Sequence, residues 1–133
     1  MPKEIGKGRE RERDGSLVRE FEEGDAPGLA RMYNESDEGW PGGFTRGIPY
    51  TPERVLREVQ RGSAFARLVV ELKGKIVGYC TLGERWGDKD AAYVGFLNVS
   101  PRYHGKGFGR RLLLRSIEEA TKRGVKRLDL HTW

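Results

Sequence analysis

The sequence predicts an α+β fold on a mixed sheet, with elements in the order β-α-α-β-β-β-α-β. Three observations carry this prediction. Phe65 to Leu72 and Ile76 to Leu82 are apolar, strand-like runs around Lys73-Gly74-Lys75, the pattern of an antiparallel hairpin. Tyr93 to Val99 is dense in β-branched and aromatic residues, Pro101 stops any ladder, and the apolar spacing then changes from a strand's to a helix's. That helix leads into a last strand, Val125 to Trp133, and a crossover of this kind makes it parallel to the strand before it.

In chain order, residues 1–15 alternate charge without hydrophobic periodicity and read as a mobile tail, leaving 16–133 as one domain. Leu17 to Phe21 forms the first strand. Asp25 is expected to cap a helix with Pro27 in its first turn and Leu29, Ala30, Met32 and Tyr33 on its buried side. Residues Glu35 to Tyr50 carry glycines and prolines among the rings of Trp40, Phe44 and Tyr50, a loop whose aromatics suit a ligand wall. Thr51-Pro52 opens a second helix with Val55, Leu56 and Val59 in one stripe and Gly62 as its stop. After the hairpin, Gly83 to Asp90 reads as a polar loop. In the long helix Leu112, Leu113, Ser116, Ile117 and Ala120 share a face. Arg115 with Glu119 and Glu118 with Lys122 are expected to pair on the outer side, and Gly124 ends the helix.

A chain of 133 residues with a formal charge of +5 suits one core and favours anionic partners. No apolar run approaches membrane-spanning length, so no membrane partner and a cytoplasmic location are expected. Cys80, the single cysteine, reads as a small buried residue, and no metal is expected.

The chemistry concentrates where strand becomes helix. Gly105, Gly107 and Gly109 let an anion approach the backbone, the helix start adds free N–H groups, and Lys106, Arg110 and Arg111 add mobile positive charge. A pyrophosphate suits this loop. A P-loop is excluded because no lysine followed by serine or threonine stands at the required spacing, and a dinucleotide fingerprint because Arg110 falls where its last small residue belongs.

The run from Leu97 through Pro101 to Gly105, Gly107 and Arg110 resembles the GCN5-related N-acetyltransferase family, whose signature is [RQ]-x-x-G-x-[GA] after a strand and a proline. In the register adopted, His104 stands where that family has arginine or glutamine; the alternative, from Arg102, would start the helix too early. The resemblance implies a three-layer α/β/α sheet of the acyl-CoA N-acyltransferase type, lacking the usual final helix and two strands. It further implies acetyl-CoA as cosubstrate, held by Leu97, Asn98, Val99, His104, Gly105, Lys106, Gly107, Phe108, Gly109 and Arg110, and a small-molecule or peptide amine as acceptor. An ammonium acceptor must lose a proton, for which Glu84, Asp88, Asp90 and His131 are candidates by placement; Tyr93 or Tyr103 is the candidate acid. Of these, Glu84, Tyr93 and His131 are the catalytic choices. The final strand is expected to present an open apolar edge, covered by a second copy in a homodimer or by a further C-terminal segment. Two other classes remain open: a non-catalytic acyl-CoA sensor and, less favoured, a basic nucleic-acid-binding domain.

Overall fold

The computed structural model describes residues 12–39, 43, 45–85 and 87–130. Strands β1 (Ser16–Glu20), β2 (Ala66–Leu72), β3 (Lys75–Arg85), β4 (Asp88–Val99) and β5 (Arg127–Leu130) form one sheet in that order. The first four are antiparallel, and β5 runs parallel to β4. Helices α1 (Ala26–Glu35) and α2 (Pro52–Arg61) cover one face around Leu29, Met32, Val55, Val69 and Tyr79. Helix α3 (Phe108–Lys122) covers the other through Phe108 and Leu112 against Leu68, Val70, Val77 and Val99. This is the expected three-layer mixed sheet. Among the described residues no helix is long and apolar enough to cross a membrane.

The β2–β3 turn needs two left-handed residues, Lys73 at φ 52° and Gly74 at φ 81°, a pairing whose twist matches the strands it joins. Thr51 Oγ1 accepts from Arg54 N at 3.1 Å and so caps α2 as its sequence suggests. At the far end of α2, Gly62 is extended (φ −76°), and Arg67 donates to Val59 O at 2.9 Å. Gly124 (φ 78°) closes α3 with Val125 N–H on Ala120 O, the paired-bond stop that glycine permits. Residues Glu12 to Gly15 form a turn tied to β1, with Asp14 accepting from both the N–H and the hydroxyl of Ser16.

Four expectations are corrected. The Gly83 to Asp90 segment is strand at both ends, leaving 86–87 between β3 and β4. Its charges are satisfied sideways: Arg127 donates to Asp88 at 2.9 Å, Arg85 lies 3.5 Å from Asp129, and Lys126 N–H meets Asp90 O at 2.7 Å. Asp25 does not cap α1. It ends a short 3-10 turn, where its carboxylate accepts from Glu22 N–H and from both terminal nitrogens of Arg19, each at 2.8 Å. Ile117 is 46% exposed, because the buried stripe of α3 runs Phe108, Leu112, Ser116, Ala120. Arg115 does pair with Glu119 at 3.2 Å but also reaches Val18 O, so it lies against β1 rather than outward, and Lys122 meets Glu119 at 3.7 Å in place of Glu118.

The Arg19–Asp25 pair makes a pH prediction. Burial pushes the Asp25 carboxyl up, but the Arg19 hydrogen bonds and the Glu22 N–H together hold it below the ordinary 3.8. A carboxyl lowered in the folded state stabilises above its unfolded value and loses that contribution as pH falls through the folded one. Urea midpoints at about pH 5 and about pH 3 should therefore fall further in the wild type than in Asp25→Asn. Equal falls would show that the pair has no such role.

Candidate functional site

Strand β4 divides the site. Thr81 pairs with Phe96 and Leu82 with Val94, so Gly95 is the extra residue of a β-bulge. A Cβ at Gly95 would come within 3.1 Å of Thr81 Oγ1. Beyond the bulge successive side chains go to opposite faces: Phe96 packs with the α1–α2 cluster and Leu97 and Val99 with the α3 cluster. Asn98 is spent internally, its amide donating to Ser36 Oγ at 2.8 Å, which in turn donates to Met32 O.

On the α3 side, β4 runs through a 3-10 turn at Pro101–Tyr103 into the glycine loop. Gly105 (φ 80°) and Gly107 (φ 85°) are left-handed, and a Cβ at either would meet no atom within 4 Å. Their lack of side chains therefore serves the turn and leaves open space, not internal packing. A cleft of about 320 Å³ lies there, lined by Leu97, Asn98, Val99, Tyr103, His104, Gly105, Gly107, Phe108 and Gly109. Eight of the ten proposed cofactor contacts thus share one cavity, and the other two, Lys106 and Arg110, are exposed in the same loop. Arg111 is elsewhere: its guanidinium donates to Ser16 Oγ and lies 3.9 Å from Glu12, so it ties α3 to β1 and is not the mobile loop charge expected. Phe108 is 2% exposed and anchors the helix start.

His104 also departs from expectation. Its Nε2–H donates to Val99 O at 2.7 Å, closing the loop onto the strand that precedes it. Removing a bond worth about 1 kcal/mol predicts about a fivefold weaker coenzyme A affinity for His104→Ala by calorimetry. His104→Arg should bind more tightly than wild type, since it adds a charged donor beside the loop. An unaffected His104→Ala would remove the ring from the site.

On the opposite face a second cleft, of about 420 Å³, reaches β4 from the α1–α2 side. Its walls are rings in contact: Tyr33 lies 4.6 Å from Tyr50 and 5.7 Å from Phe96 between centroids, and Tyr79 lies 6.1 Å from Phe96. Burial pushes the Tyr79 hydroxyl up to about 12 and raises Tyr33 as well, so both stay protonated at neutral pH. Tyr50 is held by Asn34, whose side chain accepts from Tyr50 N–H at 2.8 Å and donates to Tyr50 O at 3.1 Å. Within the preceding loop Thr45 N–H and hydroxyl donate to Asp37 at 2.6 and 2.8 Å.

Glu84 and Tyr93 both line this second cleft, on neighbouring strands where Gly83 pairs with Tyr93 and Glu84 with Ala92. The Arg85 guanidinium stands 5.3 Å from the Tyr93 ring centre. Asp88 and Asp90 do not line either cleft; Asp88 is bound to Arg127. Tyr103 faces the glycine-loop cleft, with Lys75 5.6 Å from its ring centre. His131, Trp40 and Phe44 lie outside the described residues. Sequence reading missed Glu58, Tyr79 and Phe96 as cleft residues; strand alternation across Phe96 and Leu97 was the available signal. Cys80 is buried with its thiol 3.2 Å from Ser116 Oγ, and burial raises its pKa, so it is a packing residue.

Comparison with known proteins agrees with this geometry. The sequence profile of the Acetyltransferase (GNAT) family matches residues 29–133. A Bacillus subtilis (strain 168) protein with the provisional name ribosomal protein bS18-alanine N-acetyltransferase is 27% identical over 82 residues, 62% of this chain and 52% of that protein. The chain therefore spans about half the length of that curated relative. The crystal structure of the Escherichia coli ribosomal-protein-S18-alanine N-acetyltransferase superposes with a TM-score of 0.62 at 22% identity, over 86% of this chain and 65% of that one. A GNAT family acetyltransferase from Brucella melitensis, solved in complex with acetyl-CoA, gives 0.68 at 17% identity over 91% and 78%. With the profile covering most of its length and the sheet, bulge and glycine loop in place, this chain belongs to the GNAT acetyltransferase family.

Proposed function

We propose that the protein transfers an acetyl group from acetyl-CoA to a primary amine. The observation that carries this reading is that the two clefts meet at β4: Gly95 and Phe96 line one and Leu97 the other, so one strand separates an anion-binding loop from an aromatic, acidic pocket. The glycine loop fits coenzyme A by its own chemistry. It offers open backbone at Gly105 and Gly107, the unpaired N–H groups of the first turn of α3, and the exposed cations Lys106 and Arg110. Acetyl-CoA supplies the thioester, an acyl group with a good leaving thiolate.

The donor for the thioester oxygen follows from strand alternation. Ser100 N–H points to β3, where it meets Val77 O at 2.8 Å, so the N–H groups of Leu97 and Val99 point to the other edge of β4. Leu97 N–H, on that edge and beside the glycine-loop cleft, is the backbone group assigned to stabilise negative charge developing on the carbonyl oxygen. The incoming ammonium must first become neutral, and Glu84 on the acceptor rim is assigned to take that proton directly or through water. Tyr93, on the same rim, is assigned to return a proton to the thiolate. Reliance on acetyl-CoA goes with a cytoplasmic location.

The test is thiol release from acetyl-CoA in the presence of a panel of amines, with the acetylated product identified by mass. Glu84→Gln should lower kcat by about a hundredfold and flatten its rise with pH. Firm coenzyme A binding without transfer to any amine would favour the sensor reading instead.

A further inference from the structure

The acceptor cleft carries one more carboxylate than the transfer chemistry uses. Glu58, on α2, lines it along with Glu84, although the two stand on different elements. Tyr33, Tyr50 and Tyr79 line the same cleft as Glu58, and after burial its charge is among the causes that raise each hydroxyl. Arg54 lies 3.5 Å away, yet it is also held by Ile48 O at 3.1 Å and over the Tyr50 ring at 3.8 Å. A largely exposed i,i+4 pair of this kind contributes little, so a ligand cation can share or replace it. Arg67, the cation that lines the cleft, donates to Val59 O at 2.9 Å at the end of α2, and its charge also acts on Tyr79.

The attacking nitrogen has to be neutral when it reacts. A carboxylate that holds a cation keeps it protonated, so a second carboxylate among aromatic rings suits an ammonium that does not react. The overall charge of +5 offers such a ligand no general attraction, which makes the local group decisive. We propose that the acceptor is a diamine or longer polyamine, with one amine delivered to β4 for acetylation and a second, still protonated, held at Glu58. This rests on the acetyl-transfer reading of the same cleft. In the transfer itself the reacting ammonium gives up one proton to Glu84, the new N–C bond forms as the C–S bond breaks, the thiolate takes the Tyr93 proton, and the nitrogen's second proton restores Tyr93; the ammonium at Glu58 is unchanged throughout.

Equilibrium binding to the full chain, with coenzyme A present, tests it. The probes are unbranched diamines of increasing length and the monoamine of each length, followed by turnover with acetyl-CoA. Wild type should favour the best diamine over its monoamine by about tenfold or more, and Glu58→Gln should bring that ratio to about one while still binding coenzyme A. Glu58→Asp should recover part of the preference. A wild-type ratio near one, or a ratio that Glu58→Gln leaves intact, overturns the proposal. If monoamines are acetylated as well as diamines, the acetyl-transfer reading stands and this one falls. If diamines bind through Glu58 but nothing is acetylated, the cation site stands and the transfer reading falls.

Discussion

Gly107→Asp should lose coenzyme A affinity by about a hundredfold or more while keeping its fold. Gly107 precedes the first residue of α3 and is left-handed at φ 85°, a region that aspartate and asparagine tolerate better than other side chains. A negative charge at a helix N-terminus also interacts favourably with the dipole, which offsets part of the backbone strain. The stability change is thus small. Binding is another matter, because the carboxylate sits at the N–H groups a pyrophosphate would use and repels it as well. Calorimetry with coenzyme A and a thermal melt separate the two effects, and Gly107→Asn, without the charge, should retain intermediate affinity. Wild-type affinity in Gly107→Asp would place the pyrophosphate somewhere else.

The largest stability effect is expected at Phe108. Its ring is 2% exposed among Leu68, Val70, Val77, Val99 and Leu112, and it is the first residue of α3. Phe108→Ala should cost about 3–5 kcal/mol by urea unfolding, the range for emptying a buried aromatic site. Because the same residue fixes the helix start to β4, coenzyme A affinity should fall with it. Phe108→Leu, which refills most of the volume, should recover over half of the loss. A Phe108→Ala midpoint within about 1 kcal/mol of wild type would mean that the helix start is held by something else.

Local chemistry made much of this architecture legible in the sequence. Lys73-Gly74 could hardly be other than a tight turn, and the change of period across Pro101 with three glycines after it marked both the fold and the glycine loop. What escaped was set by partners distant in sequence. Asp88 and Arg85 look like loop residues until Arg127 and Asp129 arrive beside them from β5. Asp25 has the chemistry of a helix cap, but Arg19 and the Glu22 N–H already claim it. Arg111 reads as a phosphate ligand until β1 places Ser16 next to it. Glu58 four residues after Arg54 looks like an ordinary solvated pair, and only the tertiary structure places it on the same cleft as the tyrosines. Each case is a charge whose role depends on a neighbour brought in by tertiary structure.

The bulge at Gly95 has a consequence for how such a protein can diversify. Because Phe96 faces the aromatic cleft and Leu97 the glycine-loop cleft, with Asn98 fastening the same strand to Ser36, β4 is a party wall between two rooms. A substitution there alters both rooms together, and an inserted or deleted residue would swap which side chain faces which. Change in the aromatic room is therefore open chiefly through α2 and Tyr50, which line that room and not the glycine-loop cleft. The occupant of one room can therefore change while that of the other stays the same.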